Sequence, residues 1–290
     1  MRVGIVGAGF VGQALAEQLA AAGHSAVAVR RQPQASDGGA AIEVRAADLD
    51  APESVRAALD GVERVVHLAP PPRDGGGEDQ AARFARSLPR GCDRVVYGST
   101  TGVYRPPEDP ELWIDEESPV DPPGPGGRAR LAYERGLMEH SPAPLFRVRI
   151  TAIYGPGRTV AERLRRGDLL LFRDGPLTSR IHRDDLARIL SAMVLHAAPP
   201  PLMVACDERP ATTLEVASFA AAQLGLDLPE VLSREEASKA MSARARELRM
   251  NGKRCRSLYR EDLIGPLDYP TYQEGIASAL ADVVTEPRGC

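Results

Sequence analysis

The sequence is poor in the residues that staple or anchor a chain. Cys92, Cys206, Cys255 and Cys290 are its four cysteines, and none forms a CxxC pair. Neither a disulfide framework nor a zinc site is therefore indicated. No apolar run approaches the roughly 20 residues that a membrane helix needs, and Met1 leads directly into a strand. The expectation is a cytoplasmic protein with no membrane partner. Aromatic residues make up only 4% of the chain, and Lys239 and Lys253 are the only lysines among 36 basic residues. A net charge of -4 offers no basic excess, which argues against nucleic acid as a partner. What remains, 43% hydrophobic and 26% charged over 290 residues, is an ordinary globular composition with ample length for a sizeable core.

Short apolar runs alternate with helical periodicity, the pattern of a parallel sheet covered by helices on both faces. Strands are expected over residues 2–6, 26–30, 42–45, 64–68, 94–97, 145–150 and 202–206, and helices over 11–22, 52–59, 79–88 and 128–139. Residues 106–127, rich in proline and acid, read as a long surface loop beside a site. Residues 73–77 and 122–127 read as Gly/Pro-rich loops. Beyond Ile150 the character changes to a turn over 153–157, then helices over 160–166, 184–196, 212–224, 234–248 and 272–281. The expected fold class is α/β, a Rossmann-type doubly wound parallel sheet with a smaller, mainly helical C-terminal substrate domain. Residues 1–152 with a returning segment 178–206 would form the first part, and residues 153–177 with 207–290 the second.

The first strand runs into Gly7-Ala-Gly9-Phe10-Val11-Gly12 and then into a helix with apolar residues at Val11, Leu15 and Leu19. In a GxGxxG turn of this kind the first glycine permits the tight turn and the second lets the backbone approach a pyrophosphate. The third lets the helix pack on the strand, and the helix N-terminus offers free N–H groups to the phosphates. A dinucleotide is thus the implied ligand. The second strand ends in Arg30-Arg31. An acidic residue there holds a ribose diol, whereas a 2'-phosphate needs positive charge, so NADP is expected over the alternative, NAD.

Further motifs follow in order: Asp48-Leu49 after the third strand, Val65-Val66-His67-Leu68-Ala69, Tyr97-Gly-Ser-Thr100-Thr-Gly-Val103-Tyr104, Ile153-Tyr154-Gly-Pro-Gly157 and Arg180-Ile-His182-Arg-Asp-Asp-Leu186. The series resembles the extended and atypical short-chain dehydrogenases, the NAD-dependent epimerase/dehydratase family. By that resemblance Asp48 contacts adenine and Leu68 and Ala69 lie beside the cofactor. Thr100 stands at the catalytic Ser/Thr position, and Tyr104, Tyr154, Arg180 and His182 fall in motifs that flank the substrate.

One family feature has no counterpart here. The family uses a Tyr followed four residues later by Lys, and none of the seven tyrosines has Lys at that spacing. Glu134 aligns with a helix Glu that follows this Lys by four positions, which sets Arg130 at the Lys position and Gly126 at the Tyr position. Arginine stays protonated and could hold a ribose. His67, on an apolar strand, reads as a core histidine. The resemblance implies an NADP(H)-dependent oxidoreductase acting on a small polar or nucleotide-linked carbonyl or alcohol. The alternative is a non-catalytic dinucleotide-binding or redox-sensing protein.

Overall fold

The computed structural model describes residues 1–34, 38–72 and 75–285. Cys290, and Arg73 in the first Gly/Pro-rich loop, lie outside the described residues. The chain opens with β1 (Arg2–Val6), α1 (Phe10–Ala21), β2 (Ser25–Arg30), β3 (Ile42–Ala46), α2 (Pro52–Ala58), β4 (Arg64–His67), α3 (Gly77–Arg86) and β5 (Arg94–Thr100). It continues through β6 (Trp113–Ile114), α4 (Pro125–His140), β7 (Leu145–Ile150), β8 (Ala152–Tyr154), α5 (Val160–Arg166), β9 (Leu171–Phe172), β10 (Arg180–His182), α6 (Arg183–Leu195) and β11 (Leu202–Ala205). The last elements are α7 (Thr213–Leu224), β12 (Val231–Leu232), α8 (Arg234–Ala240), α9 (Ala243–Met250), β13 (Arg254–Cys255), α10 (Arg260–Ile264) and α11 (Tyr272–Thr285).

Seven strands form one sheet in the order β11-β7-β5-β4-β1-β2-β3, and every neighbouring pair is parallel. Such a sheet is buried on both faces, which is why its central strands are apolar without alternation. Val3, Ile5, Val66 and Val96 turn to one face and meet Leu15 and Leu19 of α1 and Leu186, Leu190 and Met193 of α6. Val6, Val27, Val65 and Val95 turn to the other and meet Val55 of α2, Phe84 of α3, and Tyr133 and Leu137 of α4. Three two-stranded parallel ladders, β8 with β10, β9 with β12 and β6 with β13, lie outside this sheet.

Two expected segments differ in the structure. The helix expected over 234–248 is two helices, because Met241 takes an extended conformation with its side chain buried and the Ser242 hydroxyl then accepts the Ala245 N–H to start α9. The loop expected over 106–127 contains β6 and yields to α4 at Pro125, a residue tolerated in a first turn because its missing N–H would be unpaired there anyway.

Buried polar groups tie α4 to the sheet. Arg149 of β7 pairs with the fully buried Glu134 through Nε to Oε1 at 3.2 Å and Nη2 to Oε2 at 2.8 Å, and its Nη1 donates to Tyr104 Oη at 2.9 Å. His67 Nε2 lies 2.7 Å from Tyr133 Oη, and the Tyr133 ring stacks on Tyr97 at 5.1 Å. Burial, reinforced by the Arg130 cation, pushes the His67 pKa from 6.5 down to about 3. A histidine depressed in the folded state favours folding fully above its unfolded pKa, and that contribution is lost as the pH falls towards the folded value. The stability advantage of the wild type over His67→Gln should therefore be greatest above pH 6.5 and shrink steadily towards pH 3, as urea unfolding at a series of pH values would measure.

Candidate functional site

Because all seven strands run one way, their carboxyl ends share one edge, where the loops after β1, β4, β5 and β7 converge. The three glycines after β1 do different work there. Gly7 has φ +86°, and a Cβ on it would stand 2.5 Å from Ala69 N, so this turn and this close approach both require glycine. Gly12 packs against Ile5 Cγ2, which a Cβ would meet at 3.0 Å. A Cβ on Gly9 would meet nothing nearer than Gly7 O at 4.0 Å. The second glycine thus faces open space at the N-terminus of α1, where unpaired N–H groups and the positive end of the helix dipole suit a pyrophosphate.

That space is a cavity of about 310 Å³ whose walls include Gly7, Gly9, Phe10, Leu68, Thr100 and Arg130. Val11 and Gly12 line it from α1. Ser99, only 3% exposed, also lines it, and among the described residues its Oγ has no hydrogen-bond partner. A glycine cradle open on one side and an orphaned hydroxyl beside it fit a bound dinucleotide. Ala69 forms the wall behind Gly7, its N–H donating to Val6 O at 3.2 Å. Arg30, half-buried, is the last residue of β2, Arg31, exposed, follows it, and residues 30–34 carry no carboxylate. Asp48 is exposed with Oδ1 accepting the Asp50 N–H at 3.0 Å, and Leu49 is half-buried against the α2–α3 side of the core.

Thr100 ends β5, and its Oγ1 accepts the Gly102 N–H at 3.1 Å, which leaves the hydroxyl proton free to donate. Arg130 comes from the second turn of α4. Its Nη1 donates to Gly98 O at 2.9 Å and to Tyr97 Oη at 3.2 Å, so the head group is pinned at the end of β5. Thr100, Arg130, Ile150 and Thr151 line both this cavity and a second, of about 1130 Å³, between the start of α4 and the α8–α9–β13 wall. Among the described residues that larger cavity is lined by Arg130, Arg234, Arg244, Arg246 and Lys253 against one carboxylate, Glu247. Glu247 Oε1 accepts the Gly126 N–H at 3.2 Å and would lie 3.4 Å from a Cβ at that position. Lys253 is half-buried, and desolvation lowers its pKa. Burial pushes the neighbouring Cys255 thiol up to about 12.

Glu247 and Lys253 are not anticipated from the sequence, because they follow the last motif and reach the cleft only through the fold.

The four residues expected to flank substrate line neither cavity. Tyr104 is fully buried against Arg149, and Tyr154 is buried with Oη donating to Thr271 O at 3.2 Å. Arg180 Nη1 donates to Thr178 O and Ala211 O at 2.7 and 2.8 Å. His182 caps α6 by accepting the Asp184 N–H, and its ring packs 3.8 Å from Tyr269. Asp207 N donates to Arg180 O, and burial pushes the Asp207 carboxyl up to about 7. These groups hold the C-terminal elements to the sheet edge; their aromatic bulk and backbone partners place them in packing. The sequence pattern found the segments but could not give the direction of the side chains.

A family model described as NAD(P)H-binding matches residues 7–197. Comparison with curated proteins finds no match. Among solved structures, a functionally unknown conserved protein from Silicibacter pomeroyi is 29% identical, with a TM-score of 0.80 over 97% of this chain and 98% of that one. The UDP-glucuronic acid 4-epimerase of Bacillus cereus, solved with UDP-glucuronic acid and NAD, is 15% identical, with a TM-score of 0.77 over 98% and 99%. The enzyme WbmG of Bordetella bronchiseptica, solved with NAD and UDP, is 19% identical, with a TM-score of 0.75 over 97% and 94%.

The open space at Gly9 generates a direct expectation. Gly9→Ala should weaken dinucleotide binding about 10-fold or more, ~1.4 kcal/mol, while leaving the melting temperature close to wild type. Fluorescence titration with NADPH, set beside a thermal melt, measures both.

Proposed function

Because the chain belongs to the NAD(P)H-binding family, we propose that it is an NADP(H)-dependent oxidoreductase of the epimerase/dehydratase type, acting on a polar or nucleotide-linked carbonyl or alcohol. The observation that carries this reading is that the two cavities adjoin, sharing four wall residues. Thr100, Arg130, Ile150 and Thr151 line both the glycine cradle and the larger space, so a second molecule has room beside a bound dinucleotide. A protein that only sensed the dinucleotide would need no such space. The volume of about 1130 Å³ and the surplus of cations suit a substrate with an anionic, nucleotide-sized part. Solved relatives with UDP-glucuronic acid or UDP agree with that class.

When bound, the dinucleotide would supply or accept hydride at its nicotinamide ring. The chain's own residues supply the rest. Thr100 donates a hydrogen bond from its free hydroxyl to a substrate oxygen and orients it. Arg130, held by β5, would hold the ribose of a bound dinucleotide. Among the described residues no tyrosine or histidine lines either cavity, arginine does not give up its proton, and the Cys255 thiol is held protonated. Glu247 then carries the proton, fixed by the Gly126 N–H at the start of α4, and Lys253 faces the anionic part of the substrate. Arg30 and Arg31 hold the 2'-phosphate through charge-assisted hydrogen bonds, which favours NADP over NAD.

Two measurements test the reading. NADPH oxidation should accelerate in a panel of carbonyl compounds that includes sugar nucleotides; a cofactor bound tightly yet never consumed would instead mark a sensor. In the responsive assay Glu247→Gln should lower turnover about 10²- to 10⁴-fold with NADPH binding unchanged. Titration should also give a lower Kd for NADPH than for NADH, and the double change Arg30→Ala, Arg31→Ala should erase the difference.

A further inference from the structure

The mouth of the glycine cradle carries a cation that the sequence motifs do not account for. Arg158 follows Gly155-Pro156-Gly157, leaves the sheet edge with the β8–α5 turn, and lines the smaller cavity with Gly7, Gly9 and Gly12. Its guanidinium carbon lies 5.4 Å from the centre of the Phe10 ring, the residue between Gly9 and Val11. Among the described residues the guanidinium makes no hydrogen bond and has no carboxylate within 4.0 Å. It is exposed, in a chain where most arginines are paired or bound to carbonyl groups.

Its backbone, in contrast, is firmly set. Arg158 N donates to Gly155 O at 2.9 Å, closing a turn in which Gly155 has φ +153° and sits between Phe10, His182 and Arg183. The next residue, Thr159, is buried and starts α5 with a capping box: Thr159 N donates to Glu162 Oε2 at 2.7 Å and Ala161 N to Thr159 Oγ1 at 3.0 Å. A fixed backbone thus presents a free, always charged head to the cradle, supported by an aromatic face. Arg183 stands 5.3 Å from the same ring, but its Nε is committed to Asp184 Oδ1 at 2.8 Å.

We propose that Arg158 clamps the dinucleotide's pyrophosphate from the side opposite the α1 N-terminus. The helix and the glycine backbone offer neutral N–H donors from below. Arg158 adds a full positive charge from above, carried on an element outside the β1–α1–β2 unit. The inference rests on the dinucleotide-binding part of the proposed function and on none of its chemistry.

The test is direct titration of the full-length protein with NADPH and with NADH. The pyrophosphate is common to both, so Arg158→Ala should raise both dissociation constants by the same factor, about 10- to 100-fold, at an unchanged melting temperature. Arg158→Lys should recover part of the loss, since a point charge restores attraction without the planar fork. A loss confined to NADPH would assign Arg158 to the 2'-phosphate and overturn the proposal. An unchanged affinity would overturn it, as would a loss accompanied by a lower melting temperature that lysine does not repair. No turnover is needed: a wild type that binds NADPH and leaves every carbonyl compound unreduced overturns the oxidoreductase reading while the titrations still decide the clamp. A wild type that binds neither cofactor overturns both.

Discussion

The single direction of the seven central strands is the constraint on which the rest depends. It puts the ends of β1, β4, β5 and β7 on one edge and leaves no hairpin there to cover them. The loops that leave this edge must then supply both the floor and the walls of any site. Gly7 and Ala69 meet within that edge so closely that no side chain fits between them, which brings the β4 loop against the cradle. Leu68 and Gly98 do the same one strand further on, where a Cβ at Gly98 would stand 2.7 Å from Leu68 Cδ2. The cleft is a consequence of backbone packing before any polar group enters it.

The second wall is set by how near α4 can come to β5. A Cβ at Gly127 would collide with the Gly102 carbonyl, and one at Gly136 would lie 2.9 Å from Ala81 Cβ of α3. Glycine at these two places lets a 16-residue helix lie flush against its neighbours. The buried pair of Glu134 and Arg149 then locks its rotation, at a desolvation cost that a bidentate geometry and the Tyr104 hydroxyl help to offset. With that rotation set, Arg130 one turn earlier has to face the end of β5. The arginine is positioned by core packing more than by the two hydrogen bonds it makes.

Legibility from sequence followed the same division. The order of strands and helices through β5 and the glycine turn after β1 were readable because each depends on local rules: apolar runs and a turn that needs glycine. Val160–Arg166, read as a helix, has those bounds in the structure. The ladders of two residues each, β9 with β12 and β6 with β13, were not readable, since two residues give no periodicity to detect. Side-chain direction was also out of reach. Tyr104 and Thr100 lie four residues apart in one motif, yet one is fully buried behind Arg149 and the other lines both cavities. Glu247 and Lys253 enter the cleft from the far end of the chain, a long-range closure that no local pattern encodes.

The core and the cleft are also joined by a continuous chain of contacts. His67 meets Tyr133, Tyr133 stacks on Tyr97, and the Tyr97 hydroxyl accepts from Arg130, whose guanidinium lines both cavities. Three of the four groups in this chain, His67 and the two tyrosines, can in principle change charge in ways that would disturb Arg130. Burial keeps His67 neutral and raises the pKa of both phenols, so a positive guanidinium faces only uncharged partners across the physiological range. Among the described residues its hydrogen-bond partners are a neutral phenol and a backbone carbonyl. An arginine held in place by neutral groups, at the junction of a phosphate cradle and a substrate-sized space, keeps its full field for whatever negative or polar group binds there.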